Sequence, residues 1–432
     1  MKRHLRFSST VLLIAFLLTA CITAPAQGTG SNAMDTPTAT RAPLTEACPA
    51  SLNLSATCQT PQTMRQAYGV DSLIQQGNTG KGQTIVDIVS FGSPTLQQDM
   101  KTFDSTFHLP PANVKIIAPL NIPESDPHHD KEGWAGETTL DVQIIHALAP
   151  DANIVLLVSP VAETEGTIGL PEFRQLEQYA IDHKLGNIVS HSWGASELTF
   201  GNNQARQELK LWDALLQKGT TQQGMTYFSS SGDSGATDYT DLNGTKLANV
   251  ATTSFAADSP WVTSVGGTSL YTKNNVVNED AWSGSGGGFS RFYAAPTYQK
   301  DLPASTQTQF QNRRGVPDVS AVADPFTGMA VYINGQWTQA GGTSASSPVW
   351  SAIMAIANQM AGHPLGFINP ALYKIAASDT YHQAFHDIVN GNNSNQSAKV
   401  QGYSAAPGWD AVTGLGTPNA QYLIPALIKN SH

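Results

Sequence analysis

The stretch GWAGETTLDVQIIHALAPDANIVLL, residues 133–157, sets two kinds of regular structure back to back. Gly136–Leu148 reads as a helix, and the β-branched run Asn153–Val158 reads as a strand. The same alternation extends in both directions from about residue 60. Further strands are expected at Thr84–Val89, Val114–Ala118, Asn187–Ser190, Met225–Ser229, Val262–Val265 and Met329–Ile333. Further helices are expected at Leu96–Phe107, Glu172–His183, Gln204–Lys218 and Pro348–Met360. This order predicts an α/β fold, a parallel sheet flanked by crossover helices, as a single domain over 60–432. In such a sheet ligands bind beyond the carboxyl ends of the strands, so residues just after a strand are the first candidates for chemistry.

Composition narrows the choice of function. The chain has 432 residues, 40% of them hydrophobic, enough for a sizeable core and too many for a disordered chain. Only 13% are charged, and 23 basic against 33 acidic residues leave a net charge of −10, which argues against nucleic acid as a partner. The sparse charge also excludes a coiled coil, while 37 Gly and 25 Pro point to many turns and loops.

The first 20 residues, MKRHLRFSSTVLLIAFLLTA, place three basic residues before a short apolar run, the layout of an export signal and too short to span a bilayer comfortably. The run ends in Leu18-Thr19-Ala20-Cys21, which resembles the lipobox of bacterial lipoproteins and makes Cys21 the expected lipidation site. The alternative is an ordinary signal peptide cut near Ala24 or Ala26. Without Lys2, Arg3 and Arg6 the chain keeps 20 basic and 33 acidic residues, so the lipid would be its membrane contact. Residues 21–59 are then a lipidated cysteine, a Thr/Ala/Pro/Gly/Ser-rich tether and a small loop closed by a disulfide between Cys48 and Cys58, the remaining cysteines of an exported chain. The protein is expected outside the cell, tethered to the outer face of the membrane, as a monomer.

Three segments carry candidate chemistry. In GGTSASSPVWSAIMAIA, residues 341–357, Ser344 stands at the start of a helix with Pro348 in its first turn. The helix N-terminus favours negative charge beside its hydroxyl, as a nucleophile and an oxyanion require; the same position suits a capping serine. None of the eleven histidines precedes a glycine, which weakens a Ser-His-Asp reading, and His146 reads as a core residue. Glu137 and Asp141 lie four apart, on one helix face, where like charges are costly unless they share a proton. They are either an acid-base pair or a solvated acidic pair. In MTYFSSSGDSGA, residues 225–236, an apolar strand runs into Asp233, which would donate a hydrogen bond to an oxyanion if protonated, or else caps a turn.

Taken together, GETTLD, SSSGDSGA and GGTSASSP, in this order, resemble the motifs of the sedolisins, the serine-carboxyl peptidases with a subtilisin-like fold. The resemblance runs from about Thr60 to Pro418 and implies hydrolysis of polypeptide substrates in acid, as an endopeptidase. It makes Ser344 the nucleophile, Glu137 the general base and then acid, Asp141 the proton-relay partner, and Asp233 the oxyanion-hole carboxyl. IVSHSWGASE and SGGGFS resemble segments flanking the family's substrate cleft, so Ser192, Trp193, Gly194, Gly286 and Gly287 are candidates to pair with an extended peptide. Trp193 also suits a core position, and the glycines a flexible loop.

FHDIVNGNN and GYSAAPGWDAVTGLGTPN resemble the family's calcium site. The implied ligands are the carboxylates of Asp387 and Asp410 and the backbone oxygens of Ile388, Ala406 and Gly408, with alanine at 406 where glycine is usual. Two departures stand out. Sedolisins usually carry a large folded propeptide, whereas about forty residues separate Cys21 from the domain here, and Ser90 occupies the place where some members extend the carboxyl network with a glutamate. Two other functions compete: an inactive peptide-binding module of the same fold, and a conventional Ser-His-Asp hydrolase.

Overall fold

A computed structural model describes residues 48–163, 166–273 and 276–431. Residues 1–47, with the export signal and Cys21, lie outside the described residues. The centre is an eight-stranded sheet of β1 (Thr84–Ser90), β2 (Asn113–Ile117), β3 (Asn153–Ser159), β4 (Ile188–His191), β5 (Thr226–Ser230), β6 (Thr263–Lys273), β7 (Val276–Ala281) and β8 (Val319–Val322). Its order is β8-β6-β5-β4-β1-β3-β2 with every pairing parallel, and β7 folds back antiparallel on β6. The expected parallel α/β architecture is the one observed.

Both faces of the sheet are covered, which is why its strands read as apolar runs rather than alternating ones. On one face Ile85 and Val89 of β1 pack with α1 (Leu96–Phe107), α2 (Asp130–Leu148) and a long helix at Thr343–Ala361. On the other face Val86 and Ile88 pack with α3 (Leu170–Asp182) and α4 (Asn203–Gln223). The helix at Thr343–Ala361 is α5. Side-chain alternation along β1 therefore decides which residues look toward α2 and α5.

Two expectations shift. α5 begins at Thr343, so Ser344 lies within the helix and Pro348 in its interior, not its first turn. Proline has no N–H to give the carbonyl of Ser344, and that carbonyl accepts from Ser192 Oγ at 3.1 Å instead. Met329–Ile333 is a strand but lies outside the parallel sheet, in a hairpin with Gln336–Ala340. Its turn is Asn334-Gly335, both at positive φ, the geometry that lets a two-residue loop match the strand twist.

Cys48 and Cys58 are joined as a disulfide, with Cα atoms 5.8 Å apart. This loop packs on the domain rather than hanging from it: Leu52 and Cys58 cover Ala330, and Gln59 exchanges 2.8 Å backbone hydrogen bonds with Gly328 and Ala330.

Candidate active site

β4 and β5 end side by side, and the chain leaving each one forms a wall of the same cleft. Ser192 and Trp193 follow β4, Asp233 follows β5, α2 brings Glu137 and Trp134, and the first turn of α5 brings Ser344. These residues, with Glu163, line a cleft of about 450 Å³. It adjoins a second cavity of about 560 Å³, and the two share Asp130.

Ser344 and Glu137 face the same cleft. Burial pushes the Glu137 carboxyl up to about 7, the Ser344 hydroxyl opposes that rise, and the charge of Asp233 adds to it. One turn on, Asp141 is wholly buried, and burial, then the charge of Asp87, then that of Glu137 hold its carboxyl well above the usual range. Ser192 Oγ lies 2.9 Å from Asp141 Oδ1 and 3.1 Å from the Ser344 carbonyl. A hydroxyl has one hydrogen, so both contacts are satisfied only when Asp141 carries a proton and donates to Ser192, which donates onward.

Asp233 faces the open cleft. Its Oδ1 accepts from both the backbone N–H and the hydroxyl of Thr343 at 2.7 Å, which leaves Oδ2 as the oxygen able to hold a proton toward a substrate. Desolvation by the surrounding protein raises this carboxyl, and the two Thr343 bonds oppose the rise. Gly342 makes the approach possible: at φ +91 it has a conformation unfavourable to other residues, and a Cβ there would stand 2.6 Å from Asp233 Oδ2.

The remaining candidates fall in different places. Trp193 is 4% exposed and packs edge-on against Phe173 and beside His191 and Trp212, so its ring is core and only its edge reaches the cleft. Gly194 lines the floor between Ser192 and Asp233. Gly286 and Gly287 are buried behind the Asp233 loop, not presented as a free edge: Gly286 donates to the Gly232 carbonyl and accepts from Ser231 Oγ, and a Cβ on it would lie 2.0 Å from the Ser231 carbonyl oxygen. Gly286 packs directly on the loop that carries Asp233. Ser90 turns away from the carboxyls and donates to the Val161 carbonyl at 2.7 Å. His146 is buried and sits 2.8 Å from the Pro110 carbonyl and 3.2 Å from Asp104, as a core histidine.

At the far loop, Gly408 N–H donates to both oxygens of Asp387, at 3.1 and 3.0 Å, and Ala406 N–H donates to Asp410 Oδ2 at 3.2 Å. The two carboxylates thus converge on one short loop, with Ile388 buried beside Asp387. Among the described residues no group of three or more His, Cys, Asp or Glu is gathered for a metal, so any ion here relies on carbonyls and water beyond these two carboxylates. An all-oxygen donor set with the buried Asp410 and the half-buried Asp387 fits a hard cation such as Ca²⁺.

Sequence reasoning missed Asp87, in the middle of β1, which is wholly buried and acts electrostatically on Asp141. The available signal was a lone acid inside the apolar run IVDIV, residues 85–89.

The subtilase family model matches residues 133–403. Kumamolisin from Bacillus sp. (strain MN-32) is 32% identical over 394 residues, covering 88% of this chain and 66% of its own length. Tripeptidyl-peptidase 1 from Canis lupus familiaris is 28% identical over 398 residues, covering 86% of this chain and 64% of its own. The chain therefore spans less than two thirds of these two relatives. Among solved structures, Pseudomonas sedolisin, a serine-carboxyl proteinase complexed with two molecules of pseudo-iodotyrostatin, matches with a TM-score of 0.73 and 27% identity over 87% of this chain and 99% of that one. The parallel sheet, the placement of Ser344 at the head of α5 and the family match over most of the domain lead to one conclusion: the chain belongs to the subtilase family.

Proposed function

We propose that this chain is a serine-carboxyl peptidase that hydrolyses internal peptide bonds of polypeptides in acid. The observation that carries the reading is that Ser344 and Glu137 line one cleft with Asp233, and Glu137 is a carboxyl where a conventional serine hydrolase has a histidine. Ser344 Oγ attacks the scissile carbonyl carbon while its proton passes to Glu137. The oxyanion accepts from a protonated Asp233 Oδ2 and from the Ser344 backbone N–H at the head of α5. When the tetrahedral centre collapses, the C–N bond breaks and Glu137 returns the proton to the leaving amine. Water then attacks the acyl-enzyme with Glu137 again as base, releasing the acid and restoring Ser344. Asp141 relays charge and proton behind Glu137.

Two opposed demands shape the pH profile, and the likeness to a serine-carboxyl proteinase, not the raised Glu137 carboxyl, is what supports an optimum in acid. The Glu137–Asp141 group must lose one proton to act as base, and Asp233 must keep one to donate, so activity forms a bell whose alkaline side follows Asp233. The cleft continues into a second cavity at Asp130, space for a substrate that extends beyond the reacting residue, which is in keeping with endopeptidase action. The candidate substrate contact after β4 is the backbone at Ser192–Gly194.

A Ca²⁺ ion held by the carboxylates of Asp387 and Asp410 and the backbone oxygens of Ile388, Ala406 and Gly408 would tie the C-terminal loops together and take no part in the chemistry. The lipobox-like Cys21 supports export and anchorage on the outer face of the membrane; replacing Cys21 with serine should release the protein into the medium.

The test is digestion of a denatured, N-terminally blocked protein at about pH 4, near the ordinary carboxyl pKa, and at neutral pH. Acid-only cleavage that disappears in Ser344→Ala is expected. Cleavage with a neutral optimum, or cleavage that survives Ser344→Ala, would overturn the reading.

A further inference from the structure

Asp87 has no role in the scheme above, yet it is the most secluded acid next to the site. It is wholly buried, and neither carboxylate oxygen has a hydrogen-bond partner. Its strand neighbours Ile85 and Val89 face α2 and α5, so by alternation Asp87 does too; its register partner on β4, Ser190, sends Oγ the same way, 3.2 Å from Ser347 Oγ of α5. On that face Asp141 Oδ2 and Glu137 Oε1 also lack partners. Among the described residues no cation offsets these acids. β3 and α5 contain no titratable residue, α2 presents Glu137 and Asp141, and the histidine of β4, His191, belongs to the opposite face, where it meets Glu177 of α3 at 3.1 Å.

Resting on the serine-carboxyl reading, we infer that Asp87 is a positioning residue that keeps its proton and donates a hydrogen bond to Asp141 Oδ2, so that Asp141 can share the charge of Glu137 without becoming a bare buried carboxylate. A neutral, buried acid is also what the surroundings favour, since burial and the charge of Glu137 both hold the Asp87 carboxyl well above its usual range. Because β1 crosses the centre of the sheet, this third acid is held as rigidly as the core.

Two readouts separate this role from simple packing. In the inactive Ser344→Ala protein at about pH 6, well above the ordinary carboxyl pKa, the infrared spectrum should hold a carboxylic-acid C=O band that vanishes on adding Asp87→Asn. Equal spectra would overturn the inference. In the active enzyme, Asp87→Val removes the donor and should lower kcat roughly tenfold, the scale of one hydrogen bond to a charged group, with KM little changed and the acid limb of the profile moved upward. Asp87→Asn restores an N–H donor and should recover most of kcat and the original limb. An Asp87→Val profile that superimposes on the wild type, or an Asp87→Asn profile shifted as far as Asp87→Val, would overturn it. If the wild-type protein proves inactive, the peptidase reading fails while the infrared band still reports the proton on Asp87.

Discussion

Two groups of buried acids in this molecule obey opposite rules. Asp318 is wholly buried, but Arg314 forms a two-pronged pair with it, Tyr373 and Asn369 donate to it, and the Ser264 N–H closes the shell at 2.8 Å. Every lone pair that needs a donor has one, and the group pins β8 to its surroundings. Asp87, Asp141 and the partly buried Glu137 sit together with no cation beside them among the described residues, and several of their oxygens have no partner there. The first arrangement is built to keep charge fixed. The second can exist only by holding protons, and a group that holds protons near neutrality can also move them.

The largest effect should come from the second group. Glu137→Gln should lower kcat by about a thousandfold or more while leaving the circular-dichroism spectrum intact, because the proposed base is lost and the amide keeps the shape. Retained activity would dissolve the contrast between the two groups. Next, Arg314→Met should lower the unfolding free energy by about 3–5 kcal/mol, measured by chemical denaturation, since it leaves Asp318 buried and uncompensated; Asp87→Asn should do far less.

The contrast sharpens with pH. Burial raises Glu137 to about 7 and Asp238 to about 6, and raises Asp233, Asp141 and Asp87 as well. These acids bind protons more tightly folded than unfolded, so their contribution to stability is complete below the unfolded value near 4 and is lost as pH rises through the folded values. Tm should therefore fall between about pH 4 and pH 7, and a Tm that rises over this window would mean the acids are ionised and paired. The smallest expected effect concerns Asp387 and Asp410: chelating calcium should lower Tm by an amount equivalent to about 2–3 kcal/mol if the ion is present at a hundred times its Kd. Asp387→Asn should remove that dependence.

The helix α1 could be read to the residue, since Leu96–Phe107 has a clear apolar face, with Leu96, Met100 and Phe103 buried. Glu137 and Asp141 were legible for a related reason: four-residue spacing on a helix is local geometry. Ser344 was legible as a residue but misplaced by a few positions against its helix, because a proline usually marks a first turn and here lies inside α5 over a carbonyl that Ser192 takes up. Gly286 and Gly287 were legible as glycines and not as supports, since their need for closeness comes from Ser231 and Ala411, far away in the chain.

The periodicity of apolar residues and the spacing of the acids belong to the sequence alone, because both are consequences of 3.6 residues per helical turn and two per strand repeat. Which acids share one dry space belongs to the tertiary structure. Asp87 lies fifty-four positions before Asp141, and only the stacking of α2 on the centre of the sheet brings its charge to bear there, in a medium where water no longer screens it.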